Sequence, residues 1–146
     1  MARSEPAADA RRVRMVLMLQ PHVELSAARA VEDLGQRVGF PRDTLAEVKL
    51  AVVEACLNAL EYGGGEVELE AVAHAGPPPW LEVMVVDHGP GFDPAAVARP
   101  KLGAKLHARR KRGWGLELMR RLMDRVEIDS RPGYTRVRMT RRRGGG

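Results

Sequence analysis

The stretch VKLAVVEACLNALEYGGG, residues 48–65, limits what the chain can become more than any other. It holds neither glycine nor proline before Gly63 and is rich in helix formers, so it predicts one helix stopped by the glycines. At about 100° per residue, Glu47, Glu54, Asn58 and Glu61 fall in one narrow polar stripe. Val48, Val52, Ala55, Cys56 and Ala59 lie on one flank, and Leu50, Val53, Leu57 and Leu60 on the other. Apolar flanks on both sides predict a mostly buried helix whose stripe faces something that rewards polarity. Glu54 and Asn58 are one turn apart, so a carboxylate and an amide oxygen point the same way. Two hard oxygens at that spacing suit Mg²⁺ or its waters. Taken alone, the stripe suits the solvated face of an amphipathic helix equally well.

A chain of 146 residues is long enough for one domain with a genuine core. No apolar run approaches the ~20 residues that span a membrane. The run VRMVLML at 13–19 is interrupted by Arg14 and lacks a small-residue cleavage site after it, which argues against a signal peptide. The single cysteine, Cys56, excludes an internal disulfide and sits among apolar residues as packing. These features predict a cytoplasmic protein. The net charge of +5 invites a nucleic-acid reading, but it is concentrated in Arg109–Arg112 and Arg141–Arg143. Aromatic residues at 4% are too few for base-stacking platforms, so neither nucleic acid nor membrane is expected as a direct partner. His22, His74, His88 and His107 are scattered without zinc-ligand spacing.

In chain order, residues 1–10 are small and polar and predict a disordered lead-in. Val13, Met15, Leu17 and Leu19 alternate with Arg12, Arg14, Val16 and Met18, the pattern of an edge strand ended by Pro21. Residues 24–38 have helical spacing, broken by Gly39 and Pro41. Asp43 or Thr44 is expected to cap the central helix, with Glu47 placed for a capping box. Residues 66–73 alternate as a half-buried strand, and Trp80–Val86 forms a second, more buried strand that delivers Asp87 at its end. Residues 93–112 are mixed and cationic and read as a loop. Gly113-Trp114-Gly115 leads into a helix over 116–123, followed by strands at 126–129 and 135–140 with a Pro132-Gly133 turn between them. Helices segregated to one face of such strands give an α+β two-layer sandwich.

Chemistry is concentrated in three places. Asp87 ends a strand, with Gly89 and Gly91 following. A carboxylate there can accept from an exocyclic amine while the glycines let backbone pass close to a ligand. A tight turn with a solvated aspartate explains the same residues. Gly113 and Gly115 precede a helix, where free backbone N–H groups suit phosphate oxygens, and Arg109–Arg112 can neutralise charge beside them. A Gly-x-Gly by itself is also an ordinary turn.

Taken together and in order, Glu54-x-x-x-Asn58, Asp87-x-Gly89-x-Gly91 and Gly113-x-Gly115 resemble the ATP-binding superfamily shared by gyrase, histidine kinases and MutL, known as GHKL. The resemblance spans roughly residues 13–141 and is greatest to free-standing anti-sigma factor serine kinases of the RsbW/SpoIIAB type. Their Glu-Ala-x-x-Asn-Ala pattern matches Glu54-Ala55-Cys56-Leu57-Asn58-Ala59, and their closing Gly-x-Thr strand matches Gly133-Tyr134-Thr135. The resemblance implies a GHKL sandwich with a mixed, mostly antiparallel sheet. It implies a domain over 11–141, a lid over 93–112 and a flexible tail at 142–146. It further implies ATP and Mg²⁺ as cofactors, with Asn58 as metal ligand and Glu54 as general base. Asp87 would hold the adenine amino group beside Thr135, Gly89 and Gly91 would shape the adenine pocket, and Gly113 and Gly115 would sit against the phosphates. The implied activity is transfer of phosphate to a serine or threonine of an anti-anti-sigma (STAS-type) partner, with sequestration of a sigma factor by a homodimer. A nucleotide-gated binding module without transfer is the alternative. A histidine kinase catalytic domain ranks below both, since no phosphoacceptor helix pair precedes residue 13. The sequence departs from the pattern in three places: the lid has no Ser or Thr, Trp114 is bulky between its glycines, and Glu61-Tyr62-Gly63 lacks a histidine before glycine.

Overall fold

The computed structural model describes residues 11–97 and 112–144. Five strands and three α-helices follow one another as β1 (Arg11–Leu17), α1 (Val23–Arg37), α2 (Arg42–Gly63), β2 (Val67–His74), β3 (Trp80–Asp87), α3 (Arg112–Leu122), β4 (Arg125–Arg131) and β5 (Tyr134–Arg142), with a 3-10 turn at Pro94–Ala96. The sheet order is β1-β2-β3-β5-β4. All four pairings are antiparallel, so the sheet is not mixed among the described residues. β1 is an edge strand, as its arginine-rich alternation predicts, though it stops at Leu17 rather than Leu19.

Period-2 alternation sorts the sheet into two faces. Leu69, Ala71 and Ala73 of β2, Leu81, Val83 and Val85 of β3, and Val137 and Met139 of β5 point inward and are buried. They share one apolar cluster with Ala27, Val31 and Leu34 of α1, Val48, Val52, Ala55 and Cys56 of α2, and Leu116 and Met119 of α3. Each large side chain buried this way contributes about 1.5–3 kcal/mol. The opposite face carries ion pairs. Arg138 donates from Nε to Glu82 Oε2 at 2.5 Å and from Nη1 to Glu127 Oε1 at 2.6 Å. Burial pushes the Glu82 carboxyl up, but the hydrogen bonds from Arg138 and His74 outweigh it and hold the pKa below its ordinary value. Glu70 behaves the same way between Arg14 and Arg12.

The central helix differs from its sequence reading in two respects. It begins at Arg42, after Pro41, with no side-chain cap, so Asp43 and Thr44 lie inside the first turn and form no capping box. Proline's fixed φ lets the chain enter the helix there, and Leu45 N–H bonds the Pro41 carbonyl at 3.0 Å. The second apolar flank is also less buried than expected: Leu50 is 44% exposed, and Val53 and Leu57 are half-buried. The reason is topological, because α2 has the sheet on one side and α1 and α3 at its flanks, which leaves part of its circumference uncovered. Gly64 ends the helix at φ 72°, a left-handed conformation that glycine adopts without Cβ strain.

The C-terminal arginine cluster is used inside the fold. Arg141 Nη1 donates to the Leu122 carbonyl at the end of α3 and lies 2.8 Å from Glu47 Oε1. Arg143 and Arg11 donate to the Val38 and Arg37 carbonyls at the end of α1, at 3.1 and 3.0 Å. Cations suit helix C-termini, where carbonyls lack partners and the dipole is negative. This accounts for basic residues that a nucleic-acid reading would otherwise claim.

Candidate functional site

Two groups of the expected residues assemble at separate points along α2. The first lies where α2 ends. Asp87, the last residue of β3, is 6% exposed, and its Oδ1 accepts the Gly89 N–H at 3.0 Å. A carboxylate offers about four lone-pair positions, so one backbone bond leaves capacity for a ligand donor. The surrounding backbone is too close for side chains. A Cβ on Gly63 would lie 2.7 Å from Asp87 Cβ, and one on Gly89 would lie 2.7 Å from Gly63 Cα. Thr135 stands directly opposite Asp87 in the β3–β5 register and is 3% exposed. Buried polar side chains need partners, and Thr135 Oγ1 lies 2.7 Å from Ser130 Oγ.

The loop after Asp87 is held against the β4–β5 hairpin. Gly133 N–H donates to the Gly89 carbonyl at 2.8 Å, and Phe92 N–H donates to Ser130 Oγ at 2.9 Å. A Cβ on Gly91 would lie 2.6 Å from the Arg131 carbonyl oxygen.

The second group lies on the polar stripe of α2. Asn58 is buried and Glu54 half-buried. Helix α3 meets them at Gly115. A Cβ there would lie 2.6 Å from Asn58 Nδ2 and 3.2 Å from both Asn58 Oδ1 and Glu54 Oε1. Asn58 lies roughly 8 Å along the helix axis from Gly63, at 1.5 Å per residue, so α2 itself spaces the two groups. Gly113 and Gly115 do not precede α3 but form part of its first turn. That is where backbone N–H groups lack intrahelical acceptors. Trp114 sits half-buried between them in the same turn.

The donor set is consistent with ATP and Mg²⁺. An acceptor and a hydroxyl stand side by side at one end, and an amide oxygen, a carboxylate and a glycine-lined helix start stand at the other. Among the described residues no cluster of three or more His, Cys, Asp or Glu could hold a metal. Mg²⁺ bound with a nucleotide takes few protein oxygens beside the substrate phosphates and waters, and Asn58 offers one amide oxygen here. The lid expected over 93–112 falls mostly at 98–111, with Arg109–Lys111, outside the described residues. Its described beginning is the Pro94–Ala96 turn, where the Asp93 side chain accepts the Ala95 N–H at 3.0 Å.

Three participants carry little mark in the sequence. Gly63 reads there only as a helix stop, and Phe92 only as part of a loop. Ser130 does leave a signal: continuing the inward alternation of Val126 and Ile128 puts a hydroxyl on the buried side of a strand.

Residues 19–141 match the histidine kinase-like ATPase domain family. The serine-protein kinase RsbW of Bacillus subtilis is 30% identical over 139 residues, which are 88% of this chain and 84% of that protein. The protein of the same name from Halalkalibacterium halodurans is 31% identical over 110 residues, covering 70% of this chain and 66% of its own length. A solved structure of the RsbU and RsbW domains of a Mycobacterium tuberculosis protein aligns with a TM-score of 0.62 at 17% identity. The alignment takes in 90% of this chain and 32% of that one, and the likeness is one of fold.

Proposed function

The chain belongs to the histidine kinase-like ATPase domain family, and on that premise we propose that it is an ATP-dependent protein serine/threonine kinase and anti-sigma factor. It phosphorylates an anti-anti-sigma partner of the STAS type and holds a sigma factor, acting as a homodimer in the cytoplasm, with residues 11–141 as its nucleotide-binding domain. The similarity to serine-protein kinases named RsbW supports this reading. The observation that carries it is the contact of Gly115 with both Glu54 and Asn58. A helix start without a side chain, whose backbone N–H groups suit phosphate oxygens, lies against a carboxylate and an amide.

In this reading Asp87 accepts from the adenine amino group, with Thr135 beside it and Gly89 and Gly91 shaping the pocket. Gly113 and Gly115 leave their backbone N–H groups to the phosphates. Magnesium, ligated by Asn58, supplies charge neutralisation when bound. Glu54 orients the partner's hydroxyl and takes its proton as the oxygen bonds to the γ-phosphorus and the β–γ bridging P–O bond breaks, with ADP leaving. Phosphoryl transfer needs little more than positioning and electrostatic stabilisation.

The test separates Glu54 from Asn58. Glu54→Gln keeps shape and hydrogen bonding, so ATP binding should persist while transfer to the partner falls by roughly 10²-fold or more. Asn58→Ala should lose Mg²⁺-dependent binding as well. The absence of Ser and Thr from residues 93–112 favours a second reading, a nucleotide-gated binding module. Wild-type protein that binds ATP and a sigma factor but transfers no phosphate would establish that alternative. Absence of ATP binding would end both.

A further inference from the structure

Ser130 is on the buried side of β4, and two bonds fix its hydroxyl. Its Oγ accepts the Phe92 N–H at 2.9 Å and lies 2.7 Å from Thr135 Oγ1. A backbone N–H can only donate, so the proton of the Ser130 hydroxyl must point elsewhere. Either hydroxyl can donate in the Ser130–Thr135 pair, and Thr135 Oγ1 is within reach to accept the Ser130 proton. With Ser130 as the donor of this pair, the Thr135 proton is directed outward. Thr135 is 3% exposed and stands across from Asp87 on the same face of the sheet. In that arrangement Asp87 is an acceptor beside a fixed donor, Thr135. Accepting from Phe92 also polarises the Ser130 O–H, which strengthens the next bond in the chain.

We propose that Ser130 is a specificity-determining positioning residue that fixes the Thr135 hydroxyl as a hydrogen-bond donor, so that the pocket selects adenine over 6-oxopurines. Adenine presents an amino donor at position 6 and a bare ring nitrogen acceptor at position 1, the complement of Asp87 and Thr135. Guanine and hypoxanthine present a carbonyl acceptor and an N–H donor, reversed at both places. Without Ser130 the Thr135 hydroxyl is free to rotate and accept from the ring N–H. The proposal rests on the ATP-binding reading, and it concerns how this chain enforces the choice of base.

The experiment is calorimetric titration of the full chain with ATP and with inosine triphosphate, each with Mg²⁺, for wild type, Ser130→Ala, Ser130→Thr, Thr135→Val and the Ser130→Ala/Thr135→Val double variant. Ser130→Ala should weaken ATP binding by about 3- to 10-fold, the range for one lost hydrogen bond. It should not weaken inosine triphosphate, so the preference for ATP falls by at least about 3- to 10-fold. Ser130→Thr keeps a hydroxyl and should hold the wild-type preference. In the Thr135→Val background, Ser130→Ala should no longer change the preference, because coupled residues are non-additive. If Ser130→Ala weakens both nucleotides equally, Ser130 only anchors the Phe92 loop and the proposal is overturned. It is overturned equally if the Ser130→Ala effect persists in the Thr135→Val background. If Ser130→Ala does not fold, Ser130→Thr and Thr135→Val decide: a wild-type preference in the first and a lowered one in the second support the relay, and any other pair refutes it. Wild-type protein that binds neither nucleotide would refute the ATP reading itself, an outcome distinct from these.

Discussion

Gly115→Ala tests the site at its tightest point. Gly115 lies inside α3, so alanine is compatible with the backbone and adds helix propensity worth about 0.8–1 kcal/mol. Against that gain, the new methyl would lie 2.6 Å from Asn58 Nδ2 and 3.2 Å from Glu54 Oε1. Ordinary contact begins near 3.4 Å, so the Asn58 amide must move by most of an ångström or α3 must lift away. Overpacking of this kind typically costs about 1–3 kcal/mol. The two terms nearly offset, and the net change in stability should be about 0–2 kcal/mol of destabilisation. That corresponds to a fall in Tm of no more than about 8 °C. Function should respond far more. A displacement of about 1 Å at a reacting or ligating group can cost on the order of 10²-fold. We therefore expect Gly115→Ala to melt near the wild-type temperature, to bind ATP-Mg²⁺ at least about tenfold more weakly, and to show a larger loss in transfer. Scanning calorimetry and isothermal titration measure the two effects separately. A folded Gly115→Ala protein with unchanged Mg²⁺-dependent ATP affinity would mean that Asn58 and Glu54 do not face the triphosphate.

Two further outcomes follow from titratable groups. Glu70 and Glu82 are held below the ordinary carboxylate value of 4.5 by their arginines, so their stabilising contribution is complete above pH 4.5 and is lost as pH falls through the lower folded values. Chemical denaturation below pH 4.5 should show this loss, Arg138→Met should remove the Glu82 part and leave the Glu70 part, and an unchanged slope in that variant would exclude the Arg138 network as a source; because these groups are partly solvated, each contributes under about 1 kcal/mol. Burial, with a smaller push from Glu24, raises the Cys56 thiol to about 12. Labelling by a thiol reagent at pH 8 should therefore run at least roughly 10³-fold slower in the native protein than in denaturant, tracking global opening, and rapid native labelling would contradict that burial.

The order of elements, the boundaries of most of them to within a few residues, and the identity of the polar stripe were legible in the sequence because they are local. Periodicities of 3.6 and 2 record which side of each element meets the core, and glycine and proline punctuate the rest. The resemblance to the GHKL family was legible for a related reason: its motifs are short runs of residues whose spacing survives translation into text. What periodicity could not say is how much of a helix its neighbours cover, and Leu50 on the uncovered side of α2 is the consequence. Nor could spacing locate the start of α2, where Pro41 displaced the expected cap, or the start of α3, which takes its glycines into the first turn. The site itself belongs to the tertiary structure. Gly115 meets Asn58 across 57 positions of sequence, Gly63 meets Asp87, and Ser130 reaches both Phe92 and Thr135. Each of these contacts depends on the strand order β3-β5-β4 and on helices closing over one face of the sheet. A linear pattern fixes which side chains are available, and only the packed layers fix which of them share a pocket.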